Sequence, residues 1–179
     1  MKEKILLIIT MFSIILLFTS LVLAKHPPRE YQYNIGKANE SAVAMASNGE
    51  KIEVTGNGTF VIESKTITGS GRFLHKDKNG NILGNGTWTA KSLLSFDSWS
   101  SVTSQELTKG PEGGRAFILI RLSPNSGGPA LDGILMLEHV LGKSPKNSTE
   151  GIRLNIKLEP GLQLNFFKKI GGQTLFIRK

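Results

Sequence analysis

The chain has no cysteine. A fold built from it cannot be stapled by disulfides, and it offers neither a thiolate nucleophile nor a thiolate metal site. Histidine is nearly as scarce, with only His26, His75 and His139. No Gly-x-Ser-x-Gly elbow occurs among the serines, so nucleophilic hydrolase chemistry has no motif to rest on. Apolar periodicity of the helical kind is scarcely visible beyond the first two dozen residues, which argues against a helical domain. The one long hydrophobic run lies at the N terminus.

That run extends from Ile5 to Leu23, follows the basic Lys2 and Lys4, and ends at Val22-Leu23-Ala24 before Lys25. A basic start, an apolar middle and a small final residue make an export signal. Val22 and Ala24 suit a cleavage site, while the length of the run and the basic Lys25 and Arg29 suit a retained signal anchor. Residues 1–24 are therefore expected to be a hydrophobic signal helix, cleaved or kept as an anchor. Residues 25–40 are expected to be a flexible linker and 41–179 a β domain. The product would be secreted, or held at the outer face of the cytoplasmic membrane through its N-terminal segment. No nucleic-acid partner is expected there, and with no cysteine after the run a lipoprotein anchor is excluded.

About 155 residues remain after the leader, enough for one core. The net charge of the whole chain is +8. Its excess sits in the C-terminal part, where Arg115 to Lys179 contains ten basic and four acidic residues. An exported surface of that sign favours anionic lipid headgroups or acidic surface polymers.

Turn dipeptides and period-two alternation dominate the remainder, the pattern of an all-β domain. Asn48-Gly49 and Asn79-Gly80 predict two-residue hairpin turns, and Ser64-Lys65 a third. Strands are expected near 41–47, 50–63, 66–77 and 81–91. Three copies of Gly-x-Gly-x-aromatic lie on them: Gly56-Asn-Gly58-Thr-Phe60, Gly69-Ser-Gly71-Arg-Phe73 and Gly84-Asn-Gly86-Thr-Trp88. Pairing outward from the turns sets Phe60 opposite Gly69, Phe73 opposite Gly56 and Gly86, and Trp88 opposite Gly71. A ring over a bare cross-strand glycine restores packing, and glycines inside strands permit sharp bending. One face then carries Val43, Met45, Ile52, Val54, Phe60, Ile62, Ile67, Phe73, Ile82 and Trp88. The other carries Lys51, Glu53, Thr55, Asn57, Thr59, Arg72, Asn85 and Thr87. No copy has the third glycine of a dinucleotide fingerprint, and none opens a helix, so no cofactor is expected. Gly86-Thr-Trp88 resembles the Gly-x-Trp of lipocalin-like barrels, although it stands deep in the meander rather than on a first strand, and no family is assigned from it.

Further strands are expected at 116–122, 131–139, 151–158, 162–167 and 173–178. The Glu159-Pro160-Gly161 link would set Leu158 opposite Leu162, Ile156 opposite Leu164 and Leu154 opposite Phe166. The resulting fold is a single antiparallel β-barrel or strongly coiled two-layer β-sandwich of about nine strands. Segments 97–114, 123–130 and 142–150 fall outside this order.

Candidate sites are few. Phe60, Phe73, His75, Trp88 and Trp99 could line an interior pocket for a small apolar ligand. His75 and Asp77 share a face and could serve as a base with its orienting carboxylate. Arg153, Lys157, Phe167 and Lys169 are expected on the solvent side of the last long hairpin, with Arg153 over Phe167, as a site for an acidic sugar or lipid headgroup. Asn39, Asn57, Asn85 and Asn147 stand in glycosylation sequons. The run from Asp77 to Asn81 opens like a calcium loop but lacks its glycine and closing glutamate, so no metal is expected. Three readings follow. The first is an exported non-enzymatic barrel-like module that binds a small apolar ligand or a cell-surface polymer. The second is a membrane-anchored structural or adhesive domain using the basic C-terminal sheet face. The third is an isomerase or cyclase working in a barrel mouth around His75.

Overall fold

A computed structural model describes residues 28–37, 40–99, 109–159 and 162–179. The expected leader, the start of the linker, His26 and Asn39 lie outside the described residues. Within them the chain is all-β, with eleven strands: β1 (Glu30–Ile35), β2 (Ala42–Ala46), β3 (Lys51–Val61), β4 (Thr66–Lys76), β5 (Ile82–Ser98), β6 (Gly110–Pro111), β7 (Gly114–Pro124), β8 (Leu131–His139), β9 (Gly151–Glu159), β10 (Leu162–Gly171) and β11 (Thr174–Arg178). Among the described residues no helix is long and apolar enough to cross a membrane.

Strands β2, β10, β9, β8, β7, β5, β4 and β3 pair antiparallel in that order, and β3 pairs back onto β2, so eight strands close a ring. Apart from β6, which intervenes between β5 and β7, each ring neighbour except β2–β10 follows its partner in the chain. The exception arises because two positions in the wall are shared by broken strands. β1 lies against Gly56–Val61 and β2 against Lys51–Val54, end to end along β3. β10 follows β2 and β11 follows β1 in the same way. Glycines with φ of +78°, Gly36 and Gly172, stand beside these breaks, and the Gly36 N–H donates to the Gln173 carbonyl at 2.8 Å. This seam is where the ring changes partners.

All nine expected strands are present, and β1 and β6 are additional. β1 occupies part of the stretch expected to be a linker. β5 runs on to Ser98 because two bulges against β7, between Ala90 and Ser92 and between Leu93 and Ser95, shift its alternation. Such shifts hide a strand from a period-two reading.

The hairpin registers differ instructively from expectation. At Asn48-Gly49 the Gly49 N–H donates to the Ala46 carbonyl and the Ala46 N–H to the Glu50 carbonyl, which makes a three-residue loop with Gly49 at φ +88°. The extra loop residue pairs Met45 with Lys51. A one-residue slip reverses the faces, so Ala42, Ala44 and Ala46 point to the core and the expected Val43 and Met45 do not. At Asn79-Gly80 the loop is likewise one residue longer, but a bulge between His75 and Lys76 of β4 on the facing β5 restores the register. Phe73 therefore does face Gly86 and Trp88 does face Gly71. The bulge leaves Ile82 63% exposed, contrary to its expected place in the core.

Between β3 and β4 the turn is two residues longer in effect, so faces are kept while partners change. Gly56 opposes Gly71 and Gly58 opposes Gly69, so Phe60 opposes Ile67 rather than Gly69 and Phe73 opposes Val54 rather than Gly56. Each glycine pair makes a hollow that a ring fills. Trp88 lies against Gly56 and Gly71 and donates its indole N–H to the Thr55 carbonyl at 2.9 Å. Tyr33 of β1 lies against Gly58 and Gly69 and donates its hydroxyl to the Thr68 carbonyl at 3.1 Å. A Cβ on Gly71 would come within 2.6 Å of Trp88 Nε1. The apolar body of each ring is buried and its one polar atom is satisfied.

The interior is filled by the core-facing positions of the ring strands together with rings from its ends. Tyr31, Phe60, Phe96 and Phe176 cluster with centroids 4.7–6.1 Å apart. Ile118, Ile120, Leu135, Leu137, Ile152 and Leu154 are fully buried on β7, β8 and β9. In the last hairpin Ile156 faces Leu164 and Leu154 faces Phe166 as expected, whereas a register shift sets Leu162 opposite Glu159 in place of the expected Leu158, which is exposed.

Candidate functional site

The seam holds the most deeply buried ion pair among the described residues. Where β10 stops pairing with β2 and β11 begins, the start of β9 and the end of β8 come alongside it. Glu138, only 2% exposed, receives a hydrogen bond from Arg115 of β7 at 3.0 Å and another from the Lys169 ammonium, which also donates to the Thr149 carbonyl. Burial alone would raise the Glu138 carboxyl, but the two cations outweigh it and hold it below the ordinary range. Burial pushes the Lys169 amine down and Glu138 pulls it back. Lys169 is therefore not on the solvent face, as its sequence position suggested. Its side chain is 4% exposed, because β10 carries bulges against β2 on either side of it, between Phe166 and Lys168 and between Lys169 and Gly171.

Next to this cluster stands a His–carboxylate pair. His139 Nδ1 lies 3.1 Å from Glu150 Oε2, and Glu150 also accepts from the Val140 N–H at 2.8 Å and from the Thr174 N–H and hydroxyl at 2.7 Å each. Burial would raise the Glu150 carboxyl. The hydrogen bonds from His139, Val140 and Thr174 outweigh it and hold it at about 2. It stays a carboxylate across the working pH range and fixes the imidazole's orientation. Nε2 of His139 has no hydrogen-bond partner among the described residues.

His139 lines a groove of about 680 Å³ at the seam, together with Asn34, Lys37, Thr55, Asn57 and Gln173. The breaks at Gly36 and Gly172 produce it, since strands that end early leave backbone and amide side chains facing space. Within it three amide side chains, a hydroxyl, a lysine and an imidazole converge.

The residues singled out in sequence are scattered. Phe60 and Trp88 are buried in the filled interior, and Phe73 is partly buried against the core. Trp99 is at the end of β5, where the Arg115 guanidinium lies 5.7 Å from its ring centre. His75 pairs with Glu50 at 2.9 Å and meets the Phe166 ring edge-on, so its carboxylate partner is not Asp77. Asp77 instead accepts from the Asn79 and Asn81 N–H groups and the Asn81 amide, closing the turn. Arg153, Lys157 and Phe167 are exposed on β9 and β10. The β9–β10 ladder ends at Leu154 and Phe166, and among the described residues no cation–π contact joins Arg153 to Phe167. Asn57, Asn85 and Asn147 are exposed, with Asn57 in the groove, Asn85 accepting from the Asn125 amide at 3.0 Å, and Asn147 in a loop at φ 72°. Among the described residues no three His, Asp or Glu side chains come together as metal ligands.

Sequence reasoning missed Glu150, Thr174, Lys37, Asn34 and Gln173, and set His139 aside because Glu138 points to the other side of its strand. The available signal was that Glu138-His139 closes one strand while Glu150 opens the next. A hairpin between them necessarily brings these groups together. No known protein family, no curated protein and no solved structure matches the chain.

Proposed function

We propose that the chain is an exported binding module, its ring a closed up-and-down β-barrel, and that its ligand site is the seam groove rather than the barrel interior. The ligand class is an acidic surface polysaccharide. The observation that carries this reading is the lining of the groove. Asn34, Asn57, Gln173 and Thr55 offer the paired donors and acceptors that sugar hydroxyls require, and Lys37 supplies positive charge for a carboxylate. The volume falls in the ordinary range for a ligand site, roughly 300–1,000 Å³. An apolar ligand in the interior finds no comparable support, because Trp88 and Phe60 already occupy that space with their own packing. Export rests on the N-terminal run and its flanking residues.

Calorimetry with oligogalacturonides, which carry one carboxylate per sugar, and with neutral cello-oligosaccharides tests the reading. The expected result is binding of the acidic oligomers only, weakened at least tenfold by Lys37→Ala and by Gln173→Ala. Failure of acidic oligomers to bind, or binding that ignores both substitutions, overturns it.

The His139–Glu150 pair favours a second reading, in which the groove also turns its ligand over, with His139 as general base. Product formation from the same oligomers, abolished by His139→Asn with binding retained, is the expected outcome. Binding without any product leaves the module non-enzymatic.

A further inference from the structure

We propose that the end of the ring from which the N-terminal segment emerges is a docking face for an anionic lipid bilayer, seated by Val140 and Leu141 among lysines. The register defines that end. Glu30, the first residue of β1, faces Val61, and Tyr31 faces Arg178, which faces Gly110 in turn. The chain continues from Gly110 to Gly113, whose Cα lies so close to Leu141 that a Cβ there would meet the Leu141 nitrogen at 3.0 Å. Two strand spacings, the three-residue step from Gly110 to Gly113 and this contact link the exit of the chain to Leu141.

Val140 and Leu141 are 40% and 44% exposed, and the loop that carries them is well fixed. The Val140 N–H is held by Glu150, the Ser144 hydroxyl donates to the Leu141 carbonyl at 3.3 Å, and the Ser148 N–H closes a turn on Pro145 at 3.0 Å. An ordered loop that presents two adjacent aliphatic side chains to water is a contact surface in search of an apolar phase. Lys143 and Lys146 flank it, and Lys65 and Lys109 stand on neighbouring turns of the same end. All four are exposed and none makes an ion pair among the described residues.

Two observations select a bilayer over a protein partner. The chain preceding β1 contains the apolar run Ile5–Leu23, so a membrane is the phase that this end meets first. Lysines around a small aliphatic tip match anionic headgroups, each contributing about a fivefold gain in binding near such a surface. The opposite end also exposes Ile82 and Leu83, on the β4–β5 hairpin, but no chain leaves it. It serves as the internal control.

The test is amide hydrogen exchange on the full chain reconstituted in nanodiscs, comparing phosphatidylcholine alone with phosphatidylcholine containing phosphatidylglycerol. The expected result is several-fold slower exchange across 140–146 with the anionic lipid, reduced by added salt and lost in the Lys143→Glu, Lys146→Glu double variant. Leu141→Ser should reduce the protection and Leu83→Ser should leave it unchanged. Equal exchange in both lipids, or protection of 77–83 in place of 140–146, overturns the proposal. It stands independently of the groove, whose ligand would be read by the calorimetry above.

Discussion

The meander β3–β4–β5 and the seam formed by β1, β2, β10 and β11 are made of the same kind of strand and do opposite things. In the meander consecutive strands pair with one another, and the inward side carries glycine and aromatic residues near its middle. Where polar atoms are buried at its middle, they are met locally: the Trp88 indole N–H donates to the Thr55 carbonyl. In the seam the partners come from opposite ends of the chain, as Tyr31 and Arg178 do. Its strands are interrupted, and the gaps are filled with Glu138, Lys169, Glu150, His139 and Thr174. A continuous ladder satisfies its own backbone and leaves only side-chain volume to arrange. An interrupted one leaves polar groups that need partners and space that a ligand can occupy.

The sharpest break in this contrast is expected from Glu138→Ala. Removing the carboxylate strands a buried ammonium, and loss of one partner of a buried pair costs about 3–5 kcal/mol. Urea unfolding should show that loss, with Lys169→Met in the same background recovering part of it. The corresponding insult to the meander is Gly71→Ala, which places a Cβ against Trp88 and the facing strand. Overpacking of this kind costs about 1–3 kcal/mol. Gly84→Ala, on a strand where a Cβ would meet nothing within 4 Å, should stay within about 0.5 kcal/mol. Equal effects at Gly71 and Gly84 would show that the glycines serve bending alone and not ring seating.

Acid separates the two regions more gently. Glu150 is held at about 2 in the folded chain against an ordinary value of 4.5. A lowered folded value stabilises the native state above the unfolded value, and that contribution is lost as pH falls from about 4.5 towards 2. Exchange of the amides at 173–175 should therefore accelerate over this window before those at 56–60 do. Simultaneous acceleration would mean that the seam and the meander open as one unit.

How much of this was legible depended on the distance between partners. The strand positions, the shared face of Phe60, Phe73 and Trp88, and the pairing of Trp88 with Gly71 follow from residues within about twenty positions of each other. The face of β2 was misread because a two-residue turn was expected at Asn48-Gly49, whereas the three-residue loop formed there shifts the register by one and turns Ala42 and Ala44 inward. Lys169 was misread because alternation from Phe167 cannot anticipate a bulge. β1 was read as linker because its six residues, Glu30–Ile35, carry no turn signal and find their partners only at Gly56–Val61 and Thr174–Arg178.

The amino-acid order by itself determined the all-β character, the sites of the hairpins and the pairing of Phe73 with Gly86 and of Trp88 with Gly71, since each depends on local backbone preference and short-range pairing. Only the tertiary structure decided that β1 and β11 meet, that their strands break at Gly36 and Gly172, and that His139, Lys37 and three amide side chains converge on one groove. Contacts between residues more than a hundred positions apart leave no periodic trace in the chain, because the free energy that selects them belongs to closing the whole ring.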